Sequence, residues 1–192
     1  MKKKHLALGI GGAIGGAIAV KLLTRPATVR FEEVADKIAH AENSKFIDVD
    51  GVEIHYQEFG DSNDPTMILV HGYTASTDVW SAVAPTFAEQ GFHVIAVDLV
   101  GFGFSEKPAW FDYRIASQAR MISRFMNRLG IGKATLVGSS FGGAVCAWVT
   151  LDNAERIEKL VLVGSVINDA PSRNAIFKFL SVPGIGESIA PF

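Results

Sequence analysis

Residues 45–60, KFIDVDGVEIHYQEFG, alternate apolar and polar positions on either side of Asp50-Gly51. A period of two belongs to half-buried strands, and Asp-Gly between two of them predicts a β-hairpin. The pattern then changes. MILV at 67–70 is continuously apolar, as in a strand covered on both faces. FHVIAVDLVG (92–101), KATLVGSS (133–140) and RIEKLVLVGS (156–165) repeat that pattern. Helical periods lie between these runs. Residues 77–90 put Val79, Trp80, Val83 and Phe87 on one side, with Ser76 or Thr77 as the cap and Gly91 as the stop. Ile115, Ala119, Ile122, Phe125, Met126 and Leu129 recur at helical spacing before Gly130, and 141–152 form a third helix. Trp80 and Trp148 fall at core helix positions. Strands alternating with helices after a hairpin predict an α/β fold with a mainly parallel sheet.

The N-terminus follows a different rule. Three lysines precede residues 6–20, which carry no charge. Fifteen helical residues span about 22 Å, short of a hydrocarbon core of about 30 Å. If Lys21 snorkels, Leu22 and Leu23 extend the stretch towards spanning length. A basic start before an apolar run reads as an export signal or a signal anchor. Ala17-Ile18-Ala19 resembles a cleavage site, but its apolar surroundings favour an uncleaved hydrophobic helix. The denser lysines at 2–4 place the N-terminus in the cytoplasm and the domain outside, periplasmic or extracellular. The expected organisation is a membrane anchor or signal segment at 1–25, a linker at 26–44, an α/β core at 45–170, and a new pattern from 171 to 192.

Composition excludes several classes. The 192 residues carry a net charge of -2, which gives no reason to expect nucleic acid as a partner. A single cysteine, Cys146, rules out an internal disulfide framework and a cysteine-based metal site. No metal or cofactor is expected.

The candidate chemistry lies at strand ends. Gly138-Ser139-Ser140-Phe141-Gly142 fits G-x-S-x-G, with a buried strand before it and a helix directly after. A serine on so sharp a turn adopts strained backbone angles, and side chains at the flanking positions would collide, so Gly138 and Gly142 relieve the clash. The turn presents Ser140 at the carboxyl edge of the sheet as a nucleophile. The Phe141 N–H, next in the chain, and the Tyr73 N–H, after the tight turn at Gly72, are the expected oxyanion donors. His71 precedes Gly72 and reads as a loop-ordering hydrogen bonder, not as the base. HGYTAS, DLVGFGFSEKP and GSSFGGA, in that order, resemble the α/β-hydrolase fold superfamily over roughly residues 45–170. The nearest flavours are bacterial esterases and lipases and the meta-cleavage C–C hydrolases. The resemblance implies a serine hydrolase acting through an acyl-enzyme on a small-molecule ester or lipid, with Asp98, Gly101, Gly103 and Ser105 in structural roles.

The sequence departs from that family in its second half. The family orders its triad as serine, acid, histidine. All five histidines here (His5, His40, His55, His71 and His93) precede Ser140. Asp169 is a candidate acid after the sixth strand; Asp152, Glu155 and Glu158 read as solvated surface charges. The fold is therefore expected to be truncated after about the sixth strand, with residues 171–192 starting a cap. Such a chain would expose a hydrophobic strand edge, be poorly stable, and be weakly active or inactive by itself. Two alternatives stand beside the esterase reading: a C–C bond hydrolase of a ring-cleavage product, and a membrane-anchored binding module without catalysis.

Overall fold

The computed structural model describes residues 29–165. The apolar N-terminal segment, Asp169 and the proposed start of a cap lie outside these residues. Among the described residues no helix is long and apolar enough to cross a membrane.

Six strands form one sheet: β1 (Ser44–Val49), β2 (Val52–Phe59), β3 (Thr66–Val70), β4 (His93–Val97), β5 (Ala134–Ser139) and β6 (Ile157–Val163). Their order is β1-β2-β4-β3-β5-β6. β4, β3, β5 and β6 run parallel, while β2 is antiparallel to both β1 and β4. The predicted hairpin is present. Val49 pairs with Val52, and Asp50 and Gly51 both take positive φ, 54° and 80°. That backbone matches the right-handed twist of the flanking strands.

Helix α1 (Phe31–Val34) is a single turn, followed by 3-10 turns at Ala35–Lys37 and Ala41–Asn43. The linker expected at 26–44 is thus partly ordered onto the sheet: Gln57 Nε2 on β2 donates to the carbonyls of Ala39 (2.8 Å) and His40 (3.2 Å). The helix expected over 77–90 is divided into a 3-10 turn at Thr77–Trp80 and helix α2 at Ala84–Glu89. Pro85 explains the break, because it cannot donate to a carbonyl one turn back and so starts a helix instead of continuing one. The division also rotates the face. Trp80 and Phe87 pack into the core, whereas Val79 and Val83 are exposed. Helices α3 (Ile115–Arg128) and α4 (Phe141–Asp152) match the helical periods. Gly91 and Gly130 follow α2 and α3 with φ of 82° and 70°, as C-terminal stops require.

The sheet is buried between two apolar layers. Ile122, Phe125 and Met126 of α3 and Val145 and Val149 of α4 pack on Ile68, Val70, Ile95 and Leu136. On the other face Trp80 and Ala84 cover Leu69, Val94 and Val137. Two expectations are corrected here. Trp148 is not a core residue but is 43% exposed. β6 is not buried on both faces: Val161, Leu162 and Val163 are exposed, since β6 pairs only with β5 among the described residues.

Candidate active site

The parallel register brings three loops to one edge. Val70 pairs with Val97 on β4 and with Gly138 on β5, so the chain leaves all three strands at the same height. Ser140 lies between β5 and α4 with φ 50° and ψ -115°. A non-glycine residue there is strained, and strain of this kind persists only where the surroundings enforce it. The surroundings here are crowded backbone. A Cβ added at Gly138 would sit 2.5 Å from Gly143 Cα, and one at Gly142 would sit 2.3 Å from the His71 carbonyl oxygen. Both flanking glycines are required for the steric reason expected of them. Gly143 is a third such position, missed in the sequence although its doubled glycine was visible; its Cβ would collide with Ser165 Oγ. The Ser140 N–H donates to the Val163 carbonyl at 2.9 Å, so the edge strand β6 helps to hold the turn.

Gly72 meets the same turn from β3. A Cβ there would lie 3.3 Å from Ser140 Cβ and 3.8 Å from Oγ. Tyr73 follows directly, and its ring packs edge-on to Phe102 (5.6 Å) and Phe141 (6.1 Å). The structure therefore gathers Gly72, Tyr73, Gly138, Ser140, Phe141 and Gly142 at one place. Among the described residues, neither the Tyr73 nor the Phe141 backbone N–H donates to a protein acceptor. The Phe141 N–H opens α4, where the helix dipole favours negative charge. Phe102, which completes the aromatic rim, was not singled out in the sequence; its only signal was its place in the glycine-rich loop after β4.

That loop is built around a buried carboxylate. Asp98 accepts from the Thr77 N–H (2.7 Å), the Phe104 N–H (2.9 Å) and His55 Nδ1–H (2.8 Å). Ser105 Oγ donates to the Asp98 carbonyl at 2.7 Å and accepts from the His55 N–H at 2.9 Å. Gly103, at φ 49°, passes so close that a Cβ would lie 2.0 Å from the carboxylate. Asp98, Gly103 and Ser105 are structural, and Gly101 likewise leaves room for the Tyr113 ring.

His71 is fully engaged. Its Nε2 accepts from the Leu99 N–H at 3.0 Å, so Nδ1 carries the proton and donates to the Gly72 carbonyl at 2.7 Å. Burial lowers its pKa against the opposing pull of Asp98. It is a neutral hinge pin between two loops, not a base for Ser140. The other described histidines are also occupied: His40 with the Ser81 carbonyl, His55 with Asp98, and His93 with Glu58 at 2.6 Å. Among the described residues, no imidazole or carboxylate hydrogen-bonds Ser140 Oγ.

A cavity of about 240 Å³ lies elsewhere, lined by Glu58, Thr66, His93 and Lys133. Thr66 and His93 begin β3 and β4, so this is the amino end of the sheet, opposite Ser140. Burial alone would raise the Glu58 pKa, but hydrogen bonds from Lys45 and His93 outweigh it and hold the carboxyl below its usual value. These groups satisfy one another and tie β1, β2 and β4 together. Among the described residues no cluster of histidine, cysteine and carboxylate side chains could hold a metal ion.

Comparison with known proteins agrees with this geometry. Residues 65–181 match the sequence profile of the alpha/beta hydrolase fold. A 2-hydroxy-6-oxononadienedioate/2-hydroxy-6-oxononatrienedioate hydrolase of Burkholderia vietnamiensis is 35% identical over 140 residues, covering 68% of this chain and 48% of that protein. A 2-hydroxy-6-oxo-2,4-heptadienoate hydrolase of Pseudomonas putida is 31% identical over 129 residues, 66% of this chain and 46% of that protein. The crystal structure of a bacterial membrane phospholipase A superposes with a TM-score of 0.69 at 30% identity, covering 92% of this chain and 57% of that one. The chain spans about half the length of the curated relatives it matches. The order of its strands, the strained turn at Ser140 and the matched profile together place this chain in the alpha/beta hydrolase fold family.

Proposed function

We propose that the chain is the serine-bearing part of a hydrolase acting on carboxylic esters through an acyl-enzyme. The observation that carries this reading is the backbone of Ser140: a non-glycine residue at φ 50°, between two glycines that tolerate no Cβ, at the carboxyl edge of a parallel sheet. Strain so enforced is expected where a side chain must be presented, not where a strand merely turns into a helix.

In this mechanism Ser140 Oγ attacks the acyl carbon and loses its proton to an imidazole. The Tyr73 and Phe141 N–H groups hold the negative oxygen of the tetrahedral intermediate. Collapse expels the alcohol, which takes the proton from the imidazolium, and water then releases the acid by the same route. The described histidines are committed elsewhere, so the base and its acid partner are assigned to polypeptide outside residues 29–165; Asp169 remains the candidate acid within this chain. The aromatic rim of Tyr73, Phe102 and Phe141 suits an apolar acyl group. We assign the substrate to small esters or lipids and the N-terminal apolar segment to membrane attachment, with the domain periplasmic or extracellular.

A second reading is favoured by the relatives from Burkholderia and Pseudomonas, both named for the hydrolysis of dienoate compounds. Their chemistry would use the same serine on a C–C bond. A panel of p-nitrophenyl esters set against a dienoate ring-cleavage product, on the full-length protein and its Ser140→Ala variant, separates the two. Ester turnover lost in the variant supports the first reading. Turnover of the dienoate alone supports the second, and no serine-dependent turnover supports a binding module.

A further inference from the structure

We propose that the loop between β4 and α3, with Trp110 at its crest, is a lip that rests on a phospholipid bilayer and guides lipid to Ser140. The proposal builds on the ester-hydrolase reading and on membrane attachment of the N-terminal segment. Its first support is an aromatic path that runs outward from the serine turn. Phe141 meets Tyr73, and Tyr73 meets Phe102. One residue earlier, Gly101 lies directly against the Tyr113 ring. Tyr113 packs edge-on to Phe111 at 5.1 Å, and Phe111 meets Trp110 at 6.3 Å.

The outer end of this path is unusually bare. Trp110 is 70% exposed, and Tyr73 and Tyr113 are also exposed. Scattered surface apolar residues need no explanation, but two aromatic groups beside a candidate active site, meeting where the Gly101 backbone lies against the Tyr113 ring, do. Indole and phenol rings combine an apolar body with a polar end, which is why they collect at the boundary of bilayer and water. The loop is also held in shape: Tyr113 Oη donates to the Pro108 carbonyl at 2.8 Å, and Lys107 Nζ donates to the Gly103 carbonyl at 2.7 Å. Of its acidic residues, Asp98 is buried and Asp112 is clamped by Arg114 through contacts of 2.7–2.9 Å, while exposed Glu106 has exposed Lys107 beside it in the chain.

The bilayer is chosen over a protein partner because of where the chain leaves the described unit. The Phe31 ring packs edge-on to Phe104 at 5.3 Å, two residues beyond Phe102, and exposed Val29 lies just before it. An apolar run ending at Leu23 leaves six residues to Val29, a reach of at most about 20 Å. A segment embedded to that point would tether this loop beside the membrane.

The test uses the full chain mixed with phosphatidylcholine–phosphatidylglycerol vesicles, with and without bromine on the lipid acyl chains. Sedimentation reads attachment, quenching of tryptophan emission reads the lip, and p-nitrophenyl butyrate turnover by the full-length protein, measured separately, reads the hydrolase. The chain has three tryptophans, and Trp80 is buried. The expected result is sedimentation with the vesicles and a loss of about one third of the emission in brominated lipid, abolished in Trp110→Phe, which still sediments. Sedimentation without quenching, or quenching that survives Trp110→Phe, overturns the lip while leaving attachment intact. Absence of sedimentation overturns both. Quenching through Trp110 in this chain, with no serine-dependent ester turnover by the full-length protein, sustains the lip and overturns the ester reading.

Discussion

Two glycines around Ser140 meet different neighbours, and their substitutions separate folding from chemistry. Alanine at Gly142 would drive its Cβ to 2.3 Å from the His71 carbonyl oxygen and 2.4 Å from that of Val70, both of them backbone atoms. Neither can swing away, so Gly142→Ala is expected to cost at least about 3 kcal/mol in chemical denaturation. Alanine at Gly72 meets Ser140 Cβ at 3.3 Å, which a shift of a few tenths of an ångström relieves. Gly72→Ala should therefore keep the fold, at a cost under about 1.5 kcal/mol, while slowing reaction at the serine it crowds. Equal loss of stability in both variants would contradict this assignment. The two glycines flanking Ser140 were legible in the sequence, because a five-residue motif between a strand and a helix states its own sterics. Gly143, Phe102 and the His55–Asp98 pair were not. Each depends on a residue brought from a distant part of the chain, and no local spacing announces such a neighbour.

At the scale of elements, strands and long helices were read correctly, and the misreadings share one cause. Apolar content was taken for burial. Pro85 divided the expected 77–90 helix and turned Val79 and Val83 outward. Trp148 and the end of β6 are apolar yet exposed, because burial is set by what lies alongside and not by the residue itself. Turns differ in the same way. Gly51 has φ 80° with nothing within 4 Å of an added Cβ, so Gly51→Ala is expected to cost only about 1 kcal/mol, from backbone conformation alone. The β4 loop is tied far more tightly. Asp98→Asn removes the charge that gathers the Thr77, Phe104 and His55 donors, and its cost should be about 3 kcal/mol. Urea titrations of the two variants check the contrast, and a larger effect at Gly51 would refute it.

For the whole molecule, the sheet edge that gathers the loops is also where stability depends on pH. Burial depresses the His71 pKa, and Nε2 must stay unprotonated to accept from Leu99. The unfolded chain takes up a proton below about pH 6.5 while the folded protein resists it, so this contribution is complete above that pH and is lost as the pH falls towards the folded value. The melting temperature should drop between about pH 7.5 and 5.5, and less steeply in His71→Gln, which has no proton to take up. An identical slope in the variant would remove His71 from the account. The family could be read from three linked motifs because each is a loop at the same edge of one sheet. The base could not, since the described histidines serve the scaffold. The central claim is that Ser140 is the nucleophile, and fluorophosphonate labelling of the full-length protein tests it most directly. After trypsin digestion the account predicts one adduct, on the peptide spanning residues 134–156 at Ser140, and none in Ser140→Ala. An adduct on Ser139, or labelling that persists in the variant, would contradict it.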